Sequence, residues 1–147
     1  MKSIQSQRRR KTLKKKIEPA FEDHRGIILD ILNDESVDAI TYISFKNSAI
    51  RANHYHKETT QWNYVLSGKL KYCNKTIDKN LFEDTDNEVF EEILYPGDFC
   101  VSQPWEAHAF KGIEDSELLV LTRGPRSGMN YEKDTFRLKN PLIPYDD

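Results

Sequence analysis

The chain has 147 residues, a formal net charge of −2, 37% hydrophobic residues and 31% charged residues. That length suits one domain around one core, no apolar run is long enough to span a bilayer, and the balance of charge gives no general attraction to nucleic acid. Two cysteines, Cys73 and Cys100, cannot build a disulfide framework; in apolar strand-like surroundings they read as buried free thiols, which favours a reducing, cytoplasmic location.

The chain opens on a basic tail, residues 1–20. Lys2, Arg8, Arg9, Arg10, Lys11, Lys14, Lys15 and Lys16 occur there with no acid among residues 1–16. The apolar segment of a secretory signal is missing. No aromatic is interleaved, so the tail reads as a solubilising arm, or an extension docked on an acidic neighbour, rather than a nucleic-acid contact.

Residues 21–32, FEDHRGIILDIL, enter a strand-like run through Gly26, and His24 reads as a turn residue. Residues 37–46 are rich in β-branched and aromatic types and read as a strand. Asn47 and Ser48 make a turn, and residues 49–56 form the next strand. Residues 61–66 and 69–74 read as a hairpin about Ser67–Gly68. The stretch 76–92 carries Asp78, Glu83, Asp84, Asp86, Glu88, Glu91 and Glu92. It lacks the glycine-centred pattern of a calcium loop and reads as an exposed loop leading into a strand at 89–94. Pro96–Gly97–Asp98 is a turn, which explains Asp98 better than a catalytic role does. A short strand at 99–102, a loop at 103–107, a strand at His108 and a buried apolar strand at 117–122 follow. Residues 124–147 hold several breakers and no periodicity; Thr122–Arg126 reads as a crossing segment at a dimer edge, with phosphate binding as the other reading. Many short strands with frequent turn signals define an all-β sandwich or barrel.

Three of the four histidines fall where one site can use them. His54 and His56 are two apart, so in a strand both face one side and Tyr55 the other. Gln61 starts the next strand, and in a small barrel His108 reaches the same interior point from a distant strand. Three nitrogens and an amide oxygen leave one or two positions open on a divalent metal, the arrangement of a catalytic centre rather than a closed structural one. Glu58 lies off this spacing and reads as solvated. Tyr42, Tyr55 and Tyr64 are candidate phenols for proton transfer, and the sequence does not choose among them.

The spacing resembles the two-part signature of the cupins, small antiparallel β-barrels. Their first motif runs Gly, five residues, His-x-His, three or four residues, Glu, six residues, Gly; here it reads Ser48, five residues, His54-x-His56, four residues, Gln61, six residues, Gly68. Their second motif is matched in spacing by Gly97, Gln103-x-Trp105, His108 and Gly112. The resemblance covers residues 21–123 and implies a single-domain cupin (double-stranded β-helix, or jelly-roll barrel), with 1–20 as a tail and 124–147 as an extension. It departs at Ser48, Gln61, Gln103 and Trp105. Gln for Glu leaves a bound dication its full charge, which favours an anionic substrate.

A second, partial resemblance concerns the RmlC-like nucleotide-sugar enzymes. Residues 50–61, IRANHYHKETTQ, look like the His-x-His-Lys…Gln stretch of 3,4-ketoisomerases, and FEDHRG looks like the opening of 3,5-epimerases. In that comparison Arg51 matches a nucleotide-binding arginine. By strict alternation it faces away from His54, and only a bulge would bring it into the site.

These readings define the expectations. Metal ligands are His54, His56, Gln61 and His108; the metal is Ni, Mn, Zn or Fe. The reaction is isomerisation or epimerisation of a carbonyl-bearing sugar or sugar acid, by a homodimer with no membrane or nucleic-acid partner. The alternatives are a metal-free ketoisomerase with His54 and His56 as the catalytic pair, an iron-dependent dioxygenase, and a non-catalytic small-molecule sensor.

Overall fold

The computed structural model describes residues 13–126 and 129–145. Lys2, Arg8, Arg9, Arg10 and Lys11 of the basic tail lie outside them. The strands are β1 (Lys14–Lys16), β2 (Phe21–Asp23), β3 (Gly26–Ile28), β4 (Ala39–Phe45), β5 (Ile50–Tyr55), β6 (Thr60–Ser67), β7 (Leu70–Thr76), β8 (Phe90–Leu94), β9 (Asp98–Ser102), β10 (Glu106–Gly112), β11 (Ser116–Arg123) and β12 (Phe136–Arg137). Among the described residues one short helix, α1 (Met129–Lys133), precedes β12.

Two five-stranded antiparallel sheets face each other, in the orders β1-β9-β6-β11-β4 and β12-β5-β10-β7-β8, and β2-β3 forms a separate small ribbon. Alternation along each strand decides which side chains enter the space between the sheets. Val65, Leu70, Leu94, Leu118 and Val120 meet Phe45, Tyr72, Cys100 and Phe110 there. Residues of opposite parity on β6, β9 and β11 point outward. Trp62, Tyr64, Phe99 and Leu121 are covered by Ile17, Leu29, Ile31 and Leu32. The outer face of the other sheet is covered by the C-terminal segment, through Phe136, Leu138, Leu142 and Ile143.

The basic segment contributes β1, which pairs with β9. Lys14 Nζ and Lys16 Nζ stand 3.2 and 3.4 Å from the Asp98 carboxylate. Asp98 also accepts the Tyr95 amide at 2.8 Å, so it closes its turn and anchors the incoming chain. Both cysteines are buried free thiols. Burial raises Cys73 to about 11 and Cys100 to about 12, which makes both inert as nucleophiles.

The expected hairpin about Ser67–Gly68 is not formed. β6 pairs with β9 and β11, and β7 pairs with β8 and β10. The chain crosses from one sheet to the other at Gly68 (φ 86°), where a Cβ would stand 2.2 Å from Ser116 Oγ. Only glycine permits that crossing. A Gly between two strand patterns signals a turn in either case, and the partners of the strands are decided by the sheets. The C-terminal residues also differ from their reading as an irregular end. They supply α1 and β12, whose pairing with β5 places Phe136 opposite Tyr55.

Candidate active site

A bulge on β5 builds the site. Opposite β10, Ala109 pairs with Ala52 but His108 pairs with His54, so Asn53 is an extra residue. Ala52 and Asn53 both have positive φ, 73° and 56°. The extra residue reverses the parity of the strand. Arg51, opposite Phe110, and His54, opposite His108, therefore share the inner face. The bulge that strict alternation demanded for Arg51 is present. Its guanidinium donates to Ser44 O at 3.1 Å and lies 5.4 Å from the Phe45 ring centre. Asn53 is itself buried and grips the C-terminal segment, donating to Ile143 O at 3.0 Å and accepting from Ile143 N at 3.1 Å.

Past the bulge, alternation holds. Tyr55 turns outward and stacks between Trp105 and Phe136, while His54 and His56 turn inward. The ring of His54 lies 4.7 Å from that of His56 and 4.8 Å from that of His108. One ligating nitrogen from each of the three falls within 4.8 Å of the others. Gln61, inward on β6 and 8% exposed, joins His54 and His108 in lining a cavity of about 450 Å³. The structure thus brings together all four residues expected from the spacing. Ser48 and Trp105, which stand where the cupin motifs carry glycine, have φ of 71° and 64°. The turns keep glycine's conformation although the side chains have changed.

The histidines are held neutral. Burial, then the neighbouring His108 and His56, drives His54 down to about 2. Burial and His56 drive His108 down to about 3. His56 is lowered by burial, against the raising effects of the Asp134 carbonyl and of Gln61. His56 Nδ1 donates to Asp134 O at 2.8 Å, and His108 Nδ1 donates to Glu106 O at 3.1 Å. With Nδ1 protonated, each presents Nε2 as a lone pair. His56 Nε2 is buried with no hydrogen bond of normal geometry among the described residues. An orphaned acceptor beside two further unprotonated imidazoles is a donor set that fits a divalent cation.

Tyr131 lies at the cavity outside the set of residues picked for proton transfer or binding in the sequence, while Arg126 belongs to the segment whose other reading was phosphate binding. Tyr131, on α1, has its ring 5.6 Å from His56 and 6.5 Å from His54. The Arg126 guanidinium covers that ring at 4.3 Å, and both residues line the cavity. A lone Tyr in an aperiodic segment carries no signal, so nothing in the sequence pointed to Tyr131. Of the expected phenols, Tyr64 packs on the outer face of its sheet and Tyr55 is walled in by aromatic rings, while Tyr42 borders the cavity from β4 with its hydroxyl donated to Glu117. Among the described residues no aspartate or glutamate lines the cavity, while Arg51 and Arg126 do.

The fold is that of the cupins, a jelly-roll barrel of the RmlC-like type. No family model matches the chain, and no curated protein matches it. Solved structures do. The chain is similar to the sugar 3,4-ketoisomerase QdtA of Thermoanaerobacterium thermosaccharolyticum in complex with TDP, with TM-score 0.66 and 20% identity over 86% of this chain and 87% of that one. It is similar to the TDP-fucose-3,4-ketoisomerase WlaRA of Campylobacter jejuni, with TM-score 0.65 and 18% identity over 84% and 86%. It is also similar to the rmlC epimerase of Mycobacterium tuberculosis, with TM-score 0.69 and 13% identity over 85% and 67%.

Proposed function

We propose that the chain is an isomerase or epimerase of an anionic, carbonyl-bearing sugar, with a divalent cation held by His54, His56, His108 and Gln61. The observation that carries this reading is the neutral histidine cluster with its orphaned Nε2, two of whose members line a cavity that holds two arginines and, among the described residues, no carboxylate. The likeness in fold to sugar ketoisomerases and epimerases supports the substrate class. A bound cation would polarise the substrate carbonyl and favour loss of the neighbouring C–H proton. Arg51 and Arg126 bind the phosphate or carboxylate of the substrate and orient it. Tyr131 stands at the cavity wall as the phenol that moves the proton. The exposed apolar side chains Ile27 and Ile28 of the β2-β3 ribbon and Ile40 of β4 are where a second copy docks in this proposal.

The second reading is the metal-free ketoisomerase in which His54 and His56 exchange the proton. The likeness to a ketoisomerase holding TDP favours it. A histidine held near 2 is a weak base at neutral pH, which favours the metal reading.

Elemental analysis of the purified protein, beside a His54→Ala/His108→Ala variant, tests the choice. Stoichiometric metal in the first and none in the second supports the proposal. Absence of metal after reconstitution, with solvent deuterium entering a 4-keto nucleotide sugar next to its carbonyl, replaces it with the second reading.

A further inference from the structure

Asp134 follows α1 and is 4% exposed, yet it has no cationic partner among the described residues. Its carboxylate is received by the loop that follows His56. Oδ1 accepts the Lys57 amide at 2.9 Å, both oxygens accept the Glu58 amide at 3.2 and 3.1 Å, and Oδ2 accepts Thr59 Oγ1 at 2.6 Å. The main-chain oxygen of the same residue accepts a hydrogen bond from His56 Nδ1–H at 2.8 Å. One residue therefore grips the 57–59 loop with its side chain and the preceding histidine with its backbone. His108 is oriented by Glu106, two residues away on its own strand. His56 is oriented from 78 residues away.

We infer that Asp134 is a positioning residue for His56. Its carboxylate locks the 57–59 loop to the C-terminal segment, so that its carbonyl keeps His56 in the Nδ1–H form and leaves Nε2 as a lone pair, on a ring packed beside those of His54 and His108. A carbonyl oxygen can accept that hydrogen bond but cannot donate one, so the tautomer is set without a titrating partner. The role is separable from merely holding the segment down. Asn53 holds Ile143, Glu83 accepts the Lys139 and Asn140 amides at 2.7 and 3.3 Å, and β12 pairs with β5. Those anchors persist without the Asp134 carboxylate. The inference rests on His56 belonging to the site proposed above, and not on the cation or the reaction.

The test reads the His56 tautomer directly, by long-range proton–nitrogen NMR of the metal-free, nitrogen-15-labelled protein. In the wild type His56 carries its proton on Nδ1. In Asp134→Ala that form gives way to the Nε2–H form or a mixture, with His108 unchanged. Ni²⁺ affinity, measured on the same samples, falls about 10–100-fold. Asp134→Asn, which keeps one oxygen for the loop amides, restores part of both. Glu83→Ala, which loosens the same segment elsewhere, leaves the His56 tautomer unchanged. If Asp134→Ala does not fold, Asp134→Asn and Thr59→Val carry the comparison. The inference is overturned by a wild-type His56 protonated on Nε2. It is equally overturned by an unchanged tautomer in the folded Asp134 variants, or by a shift in Glu83→Ala as large as theirs. Failure of Ni²⁺ to bind the wild type removes the proposed metal function and leaves the tautomer measurement to decide this inference.

Discussion

Two parts of the barrel interior are equally buried and differently satisfied. Val65, Leu70 and Leu94 are 0% exposed, and His56 and His108 are 1% and 2% exposed. The aliphatic part stabilises the fold by removing apolar surface from water and needs nothing further. The histidine part buries polar atoms at a cost, and one of them, His56 Nε2, is left without a partner among the described residues. The barrel retains a costly cluster beside a conventional core, and the natural explanation is binding.

That contrast can be broken from either side. The largest expected effect is His54→Ala/His108→Ala, which abolishes metal uptake in elemental analysis while circular dichroism keeps the β-sheet spectrum. Leu94→Ala does the reverse: it lowers unfolding free energy by about 2–5 kcal/mol in denaturant titration with metal stoichiometry intact. Tyr131→Phe lowers the rate of solvent deuterium incorporation about 100-fold and leaves both stability and metal content unchanged. A further test is the acid limb of stability in the metal-free protein. His54 and His108 have folded pKa values of about 2 and 3, below the ordinary histidine value near 6.5, so the unfolded chain binds their protons first. Stability is full above about pH 6.5 and falls as pH drops below it. Each of these histidines contributes a slope of up to about 1.4 kcal/mol per pH unit until its own folded value is reached. Chemical denaturation between pH 7 and 4 measures it, and a flat profile would remove the neutral-cluster assignment.

Much of the barrel was legible along the chain because its strands follow period two. The strands β4, β8, β9 and β11 lie where β-branched runs and turn residues placed them. The four ligand candidates were legible because motif spacing survives changes of the turn residues. Trp105 and Ser48 keep a left-handed backbone at positions where glycine would be free of strain. The hairpin at Gly68 was misread because a glycine marks a reversal without naming the strand that will pair next. The C-terminal segment was illegible for a different reason. The Asn53 side chain bonds the Ile143 main chain and the His56 ring bonds the Asp134 carbonyl, across 78–90 residues, and such bonds leave no periodic trace.

The sequence by itself determined the strand-rich class and the alternation that turns His54 and His56 to one side, which are local properties set by side-chain parity; the resemblance in motif spacing put Gln61 and His108 with them. Only the tertiary structure decided that Arg51 joins that side, because one unpaired residue at Asn53 reverses the parity. It alone decided that Tyr131 and Arg126 line the cavity and that Asp134 orients His56, because those placements arise when a segment with no pattern of its own packs across a finished sheet.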